Sequence, residues 1–177
     1  MKIIHQYLNK RTLITGDVKS GKTARTLKIL AGFIQAGYAD RIAVIDMAPD
    51  PVQGIGGKMT PPADAPLLYL TTTIAAPRLT GADKAHTLRL AVQNARAIEA
   101  LFDLFQQQPK DILFVNDASL YLQAGDLNTF LMTLKAASTQ IINVYYGGTF
   151  VDSTLTRREK HLTDELMKTC DKTIHLD

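Results

Sequence analysis

Residues 16 to 23, Gly-Asp-Val-Lys-Ser-Gly-Lys-Thr, match the pattern G-x-x-x-x-G-K-[ST]. We call them the glycine loop. Thr12-Leu13-Ile14-Thr15 directly before it is apolar and β-branched, which predicts a strand. After the loop, apolar residues recur at helical spacing from Ala24 to Ile34, and Gly37 then predicts the helix end. A strand, a loop and a helix in this order predict an α/β domain.

The chemistry of such a loop is phosphate binding. Its backbone N–H groups point into one concavity, and the N-terminus of the helix behind it adds positive potential. Lys22 would reach the β- and γ-phosphates and Thr23 would bind Mg²⁺. A glycine turn with an unrelated lysine is disfavoured by the strand and helix on either side. The predicted nucleotide-binding residues are Gly16, Asp17, Val18, Lys19, Ser20, Gly21, Lys22, Thr23 and Ala24.

A second motif lies near residue 117. Ile112-Leu113-Phe114-Val115-Asn116-Asp117 reads as a buried strand that ends in a carboxylate, the form of a Walker B strand. Asp117 is predicted to hold Mg²⁺ together with Thr23. Asn116 is a candidate for orienting a water, although an asparagine bonded to the backbone is the favoured interpretation. Many hydrolytic proteins with these motifs place a glutamate next, where this chain has Ala118, so we expect slow hydrolysis or a nucleophile other than water.

Two further residues are weaker candidates. Asp46 ends the apolar run 41–46, and two interpretations have equal weight: a contact with the metal or a second substrate, or a cap for the following loop. Thr156 and Glu159 have the spacing of a capping box, which puts Arg157 in the first turn of a helix. There it opposes the helix dipole, so it is a candidate arginine finger; a solvated arginine is the favoured alternative.

The rest of the chain predicts a single domain over residues 1–177, a three-layer α/β/α sandwich with a mainly parallel sheet. Prolines and glycines fill residues 47–66, the proline-rich loop, which is either a lid or a disordered segment. Residues 71–82 are predicted as a loop, in which Arg78 is a candidate for an anion contact and a solvated arginine is the favoured interpretation. A helix capped by Asp83 stops at Pro109 and covers the sheet with one apolar stripe: Leu88, Ala91, Val92, Ala95, Ile98, Phe102 and Phe105. If the strand 140–146 lies between the other two motif strands, Asn143 or Thr149 would sense the γ-phosphate.

Composition excludes several classes of function. The 177 residues are 46% hydrophobic, enough for one core. The 20 basic and 17 acidic residues form no basic block, so no nucleic-acid partner is evident. No apolar run approaches about 18 residues, so we expect no membrane span and a cytoplasmic location. The single cysteine, Cys170, is predicted to be buried, and the histidines show no metal-ligand spacing.

The order of motifs resembles the P-loop NTPases of the recombinase-like (ASCE) group. Within that group, the chain looks like the corrinoid adenosyltransferases in three stretches: Ile112 to Tyr121, the strand end Tyr145-Tyr146-Gly147, and the C-terminal residues Leu166 to Leu176. That resemblance implies ATP, Mg²⁺ and transfer of an adenosyl group to cobalt. Type II thymidine kinases have a similar loop, but also a zinc-binding cysteine cluster that this sequence lacks.

The sequence therefore predicts a Mg²⁺-dependent ATP-binding protein that acts as an ATPase or ATP-driven switch, with Lys22, Asp117, Asn116 and Arg157 as catalytic candidates. The alternatives are an ATP-dependent transferase, whether corrinoid adenosyltransferase or small-molecule kinase, and a weakly hydrolytic assembly module. ATP is expected rather than GTP, since no Asn-Lys-x-Asp motif is present. The expected partners are a second substrate or a protein, with homo-oligomerisation as a further option.

Overall fold

The structure, a computed structural model, describes residues 2–177, and their side chains from residue 4 onward. Its centre is one sheet of six parallel strands in the order β3-β2-β4-β5-β1-β6. The strands are β1 (Arg11–Gly16), β2 (Ile42–Asp46), β3 (Leu68–Thr71), β4 (Ile112–Asn116), β5 (Thr139–Tyr145) and β6 (Lys172–Leu176).

Helices cover both faces of this sheet. They are α1 (Lys2–His5), α2 (Lys22–Gln35), α3 (Pro77–Thr80), α4 (Lys84–Gln107), α5 (Ser119–Leu122), α6 (Leu127–Leu134) and α7 (Thr154–Lys168), with a 3₁₀ turn at Ala39–Arg41. Alternate residues of each strand enter two separate cores: Leu113 and Val115 pack towards α4, while Ile112 and Phe114 pack towards α2. The central strands are thus buried on both faces, which confirms the predicted three-layer α/β class.

The helix after the glycine loop ends as predicted. Gly37 has a φ of 84°, and the N–H groups of Gly37 and Tyr38 donate to the carbonyls of Ile34 (3.0 Å) and Phe33 (3.1 Å). This is a Schellman motif, in which a residue with positive φ satisfies the last carbonyls of the helix. The rings of Phe33 and Tyr38 meet edge to face across it, with centroids 5.9 Å apart.

The long helix α4 begins at the predicted cap, where Asp83 accepts from the N–H of His86 at 2.7 Å. Its apolar stripe differs from the prediction at the N-terminal end, because Leu88 is 55% exposed and Val92 is 36% exposed. The buried face begins instead at Ala91 and includes a polar residue, Asn94, whose amide bonds the backbone of Ala75 in both directions. These bonds fix the segment before α3, a helical turn within residues that the sequence predicted as loop.

The proline-rich loop lacks helix and strand, as predicted, and it is fastened to the sheet by Asp46. This buried carboxylate accepts from the N–H groups of Ala48 (3.1 Å) and Met59 (2.5 Å) and from the Tyr69 hydroxyl (2.7 Å). Lys58 adds bonds to the carbonyl of Ala48 and to the end of β3. The two ends of the loop are therefore held together over the carboxyl end of β2.

No helix within residues 2–177 is long and apolar enough to cross a membrane.

We expect Asp46→Asn to loosen this loop. The new NH₂ group would face N–H and O–H donors from which the carboxylate now accepts hydrogen bonds. The lost bonds should lower the free energy of unfolding by about 1–3 kcal/mol. Urea unfolding measures the loss, and hydrogen exchange should become faster at the amide of Met59. The exposed Asp50, in the same loop, supplies the control Asp50→Asn. Unchanged protection at Met59 in the Asp46 variant would contradict this account of the anchor.

Candidate functional site

A cavity of about 280 Å³ opens at the carboxyl ends of the strands. Its walls are formed by the glycine loop and the first turn of α2, by Pro49 and residues 54–57, and by residues 76–79. The remaining lining residues are Asp117, Leu120, Gln123, Asn143 and Tyr145 of β5, and Phe150. In parallel α/β sheets this edge is where ligands bind, because the loops that follow the strands converge there. Six of the predicted nucleotide-binding residues line the cavity: Val18, Lys19, Gly21, Lys22, Thr23 and Ala24.

The glycine loop turns sharply into α2. Gly21 is the N-cap with a φ of 87°, and Lys19 has a φ of 61°, so two residues adopt left-handed backbone within three positions. The N–H of Arg25 makes the first bond of the helix, to the Gly21 carbonyl at 2.8 Å. The N–H groups of residues 22–24 precede that bond, and they are therefore the donors at the positive end of the helix.

Lys22 folds back over its own loop. Its ammonium donates to the carbonyl of Asp17 (2.5 Å) and to Ser20 Oγ (3.4 Å). Burial lowers the pKa of Lys22, while the charges of Asp117 and Asp17 oppose that shift. The concave side of the loop therefore holds a partly desolvated cation, which suits an anionic ligand.

Asp17 was predicted to bind nucleotide, but its carboxylate fastens the loop. It accepts from the N–H groups of Val18 (2.6 Å) and Gly148 (3.1 Å). These bonds, led by one from the Thr149 side chain, lower its pKa to about 2. A Cβ at Gly147 would lie 2.3 Å from Asp17 Cγ, so the close approach of the two loops requires glycine there.

Five polar side chains join the glycine loop and α2 to the sheet. Thr23 Oγ1 donates to Asn116 Oδ1 at 3.3 Å, and Asn143 Nδ2 donates to the same oxygen at 2.9 Å and to Thr26 Oγ1 at 3.0 Å. Asn116 Nδ2 in turn donates to Asp46 Oδ1 at 2.9 Å. Since β5 lies between β1 and β4, as the Asn143 prediction required, this network spans the carboxyl ends of all the central strands.

The sequence predicted that Thr23 and Asp117 hold one Mg²⁺. In the structure β4 ends at Asn116, one residue before Asp117, and the side chain that contacts Thr23 directly is that of Asn116. Asp117 follows with a φ of 55°, its N–H donating to Asn143 Oδ1 at 2.9 Å. Ala118 occupies the position at which many hydrolytic proteins with these motifs have a glutamate. It is buried and does not line the cavity.

Asp117 is the carboxylate of the cavity wall. Burial raises its pKa to about 6, against the opposing effects of a Ser119 hydrogen bond and the charges of Lys22 and Arg78. A carboxyl group with such a pKa in a cleft is typical of a functional site.

Two predicted site residues lie elsewhere. Asp46 does not line the cavity; its oxygens are taken by the loop contacts and by Asn116, which fits the interpretation as a loop cap. Arg157 pairs with Asp152 at 2.9 Å on the surface, where both side chains are more than 70% exposed. The reason is the helix start: Ser153, not Thr156, caps α7, so the predicted capping box does not form.

The sequence did not assign two cavity-lining residues, Arg78 and Gln123, or the buried Glu159 to the site. Arg78 is only 12% exposed and forms an ion pair with buried Glu159 at 3.0 Å. Glu159 also accepts from Gln123 Nε2 at 2.8 Å, and Gln123 Oε1 is buried without a hydrogen-bond partner. The available signal was Pro77-Arg78, a helix start within a loop, but nothing in the sequence links it to Glu159.

A metal held by protein side chains alone is not indicated: across the described chain no three His, Cys, Asp or Glu side chains are grouped to hold one. Cys170 is a partly buried free thiol, and burial raises its pKa to about 11. The cavity instead offers the hydroxyl of Thr23 and the carboxylate of Asp117 as oxygen ligands beside the glycine loop. Such a set suits Mg²⁺ that keeps waters and is also bound by substrate phosphates.

No protein-family model matches the chain, and no curated protein matches it. The features that bear on the class of protein are therefore the parallel sheet, the glycine loop and the cavity.

The buried Glu159 predicts a pH dependence of stability. Burial raises its pKa from 4.5 to about 7, against the opposing effects of Arg78 and Gln123. The folded state thus holds a proton that the unfolded state releases, so this contribution is complete below pH 4.5 and is lost as pH rises through about 7. The loss is about 3 kcal/mol by linkage.

We expect Glu159→Gln to remove that slope. Urea unfolding of wild type and variant across this pH range measures it as the difference in unfolding free energy. A wild type that gains stability relative to the variant as pH rises would show that the Arg78 charge outweighs burial.

Proposed function

We propose that this cavity binds Mg-ATP and that the protein is an ATPase or ATP-driven switch. The observation that carries the proposal is the contact of Thr23 with Asn116 across β5. That contact sets the glycine loop, its lysine and the Asp117 carboxylate around one cavity at the ligand-binding edge of a parallel sheet.

The phosphate groups would be held by the loop. Residues 22–24 offer N–H donors at the start of α2, and Lys22 would exchange its bond to the Asp17 carbonyl for a charge-assisted bond to phosphate. The exchange is favourable because a carbonyl gives a buried ammonium less stabilisation than an anion does. Asp17 contributes indirectly by tying the loop to Gly148.

The residues that would hold Mg²⁺ are Thr23 and Asp117. Because Thr23 Oγ1 gives its hydrogen to Asn116, its lone pairs are left for a cation. Bound there, Mg²⁺ would neutralise charge on the phosphates during transfer. Asn116 positions Thr23 in this scheme, and it holds the proline-rich loop through Asp46 and the Gly57 carbonyl.

Asp117 supports a hydrolytic or switching reaction. It is partly exposed in the cavity wall, and a carboxylate at that place would hold Mg²⁺ beside the phosphates that a hydrolytic reaction transfers. Residues 54–57 form the facing wall and belong to the proline-rich loop, so a change at the phosphates would reach that loop directly. This is the route by which the state of the nucleotide would be reported to a partner.

Transfer to a second substrate is the alternative candidate, and one observation favours it. Gln123 Oε1 is buried beside the cavity without a donor, while Leu79, Leu120 and Phe150 give that end an apolar wall. An acceptor molecule with a hydroxyl or amine would satisfy Gln123 and fill the apolar space. Water as the acceptor leaves the apolar wall without a role.

Lys22→Ala should weaken ATP binding about 100-fold or more, since it removes the cation that contacts the phosphates. Isothermal titration with Mg-ATP measures the affinity. Lys28 is the matched control, because it lies exposed in the same helix and Lys28→Ala should bind as wild type does. Equal affinity of the Lys22 variant and wild type would refute the nucleotide site.

Asp117→Asn should weaken Mg²⁺-dependent ATP binding and lower turnover about 100-fold or more, as expected for loss of a carboxylate that holds Mg²⁺. Product analysis after incubation with Mg-ATP separates the reactions: ADP and phosphate without an acceptor support the ATPase. Triphosphate released with a reduced corrinoid would support adenosyl transfer instead. Wild-type turnover in the Asp117 variant would remove this residue from the mechanism.

A further inference from the structure

Arg78 is a cation in the cavity wall that is largely shielded from solvent. It lies in α3, the short helical turn after β3, and its guanidinium is 12% exposed. The guanidinium carbon lies 3.9 Å from the centre of the Phe150 ring and 5.2 Å from that of Tyr145. The two rings cover faces of the cation and shield it from water, so its N–H groups retain most of their electrostatic strength.

A buried carboxylate holds this arginine. Glu159 Oε1 accepts from Arg78 Nη1 at 3.0 Å, and its other oxygen is taken by Gln123. A guanidinium has five N–H groups, and a carboxylate contact of this kind uses at most two of them. The remaining donors are available to another anion. The pair therefore fixes the position of Arg78 without using up its capacity to bind.

The cavity that Arg78 faces is positive. The charged residues that line it in the described chain are the cations Lys19, Lys22 and Arg78 and one carboxylate, Asp117. The N-terminus of α2 adds further positive potential. Asp117 lines the same cavity, and the charges of Lys22 and Arg78 both oppose the burial that raises its pKa.

We propose that Arg78 contacts the terminal phosphate of the bound nucleoside triphosphate, and that Glu159 holds the guanidinium ready for that contact. The inference rests on the proposed nucleotide site and adds a residue to it. A polyphosphate held by the glycine loop would extend into the cavity, whose lining also includes the Arg78 cation with a side chain only 12% exposed. A diphosphate ends one group earlier and leaves Arg78 with Glu159 alone.

The consequence is discrimination between ATP and ADP. Arg78 strengthens only the complex in which a terminal phosphate is present, and Glu159 competes with that phosphate for the same cation. Above pH 7, where Glu159 carries its charge, truncating the arginine and neutralising its carboxylate partner should therefore have opposite effects on the ratio of the two affinities. A pair with a purely structural role would change the affinities for ATP and ADP by the same factor.

The test is isothermal titration of the full chain with Mg-ATP and with Mg-ADP. Arg78→Ala should lower the ratio of ATP affinity to ADP affinity about 10- to 100-fold, the value of a charge-assisted hydrogen bond. Arg78→Lys should keep part of the ratio, because it retains the charge without the fork of N–H groups. Glu159→Gln, which is isosteric and keeps an acceptor for Arg78, should raise the ratio severalfold.

The exposed Arg96 supplies the control, and Arg96→Ala should leave both affinities unchanged. Equal loss of ATP and ADP binding in Arg78→Ala, or a ratio that falls in Glu159→Gln, overturns the proposal. A wild-type ratio near one also overturns it and leaves the nucleotide site standing. Failure of the nucleotide site itself has a different signature, namely Mg-ATP binding that is absent or indifferent to Lys22→Ala.

Discussion

The structure depends on a chain of buried polar side chains across the carboxyl ends of its central strands. Thr23, Asn116, Asn143 and Asp46 connect the glycine loop, β4, β5 and the proline-rich loop by successive hydrogen bonds. Each of these groups is costly to bury alone and nearly neutral when paired, so the chain holds only when all its elements are in register. The cavity is the space that this arrangement leaves above it.

In this chain of contacts the partner of Thr23 is the neutral amide of Asn116, although the sequence suggested the carboxylate of Asp117. Asn116 uses its carbonyl for Thr23 and Asn143 and its NH₂ for Asp46, a combination of acceptor and donor that an aspartate lacks. An aspartate at position 116 would also set two carboxylates against one another, because Asp46 lies within hydrogen-bond distance. The amide thus permits Asp46 to anchor the loop while Asp117 faces the ligand.

Much of the fold was predictable from local patterns, because the strands are continuous apolar runs and the helix ends carry their own signals in Asp83, Asp126 and Gly37. The site was predictable where one motif specifies it, as in residues 16–23. The residue opposite Thr23 was not, since Asn116 and Asp117 both follow an apolar run and only the register of β4 separates them. Arg78 and Glu159 are 81 residues apart, and no local pattern connects them.

The position of β1 in the sheet has a consequence for how the chain acquires its structure. Both neighbours of β1, β5 and β6, are encoded more than 120 residues later. During synthesis the strand that carries the glycine loop therefore has two open edges until the last elements emerge. Native pairing around it is non-local, which slows folding and prolongs exposure of those edges. The cavity is consequently among the last parts of the molecule to form, and a chain that lacks its final strands has no native sheet on either side of the loop.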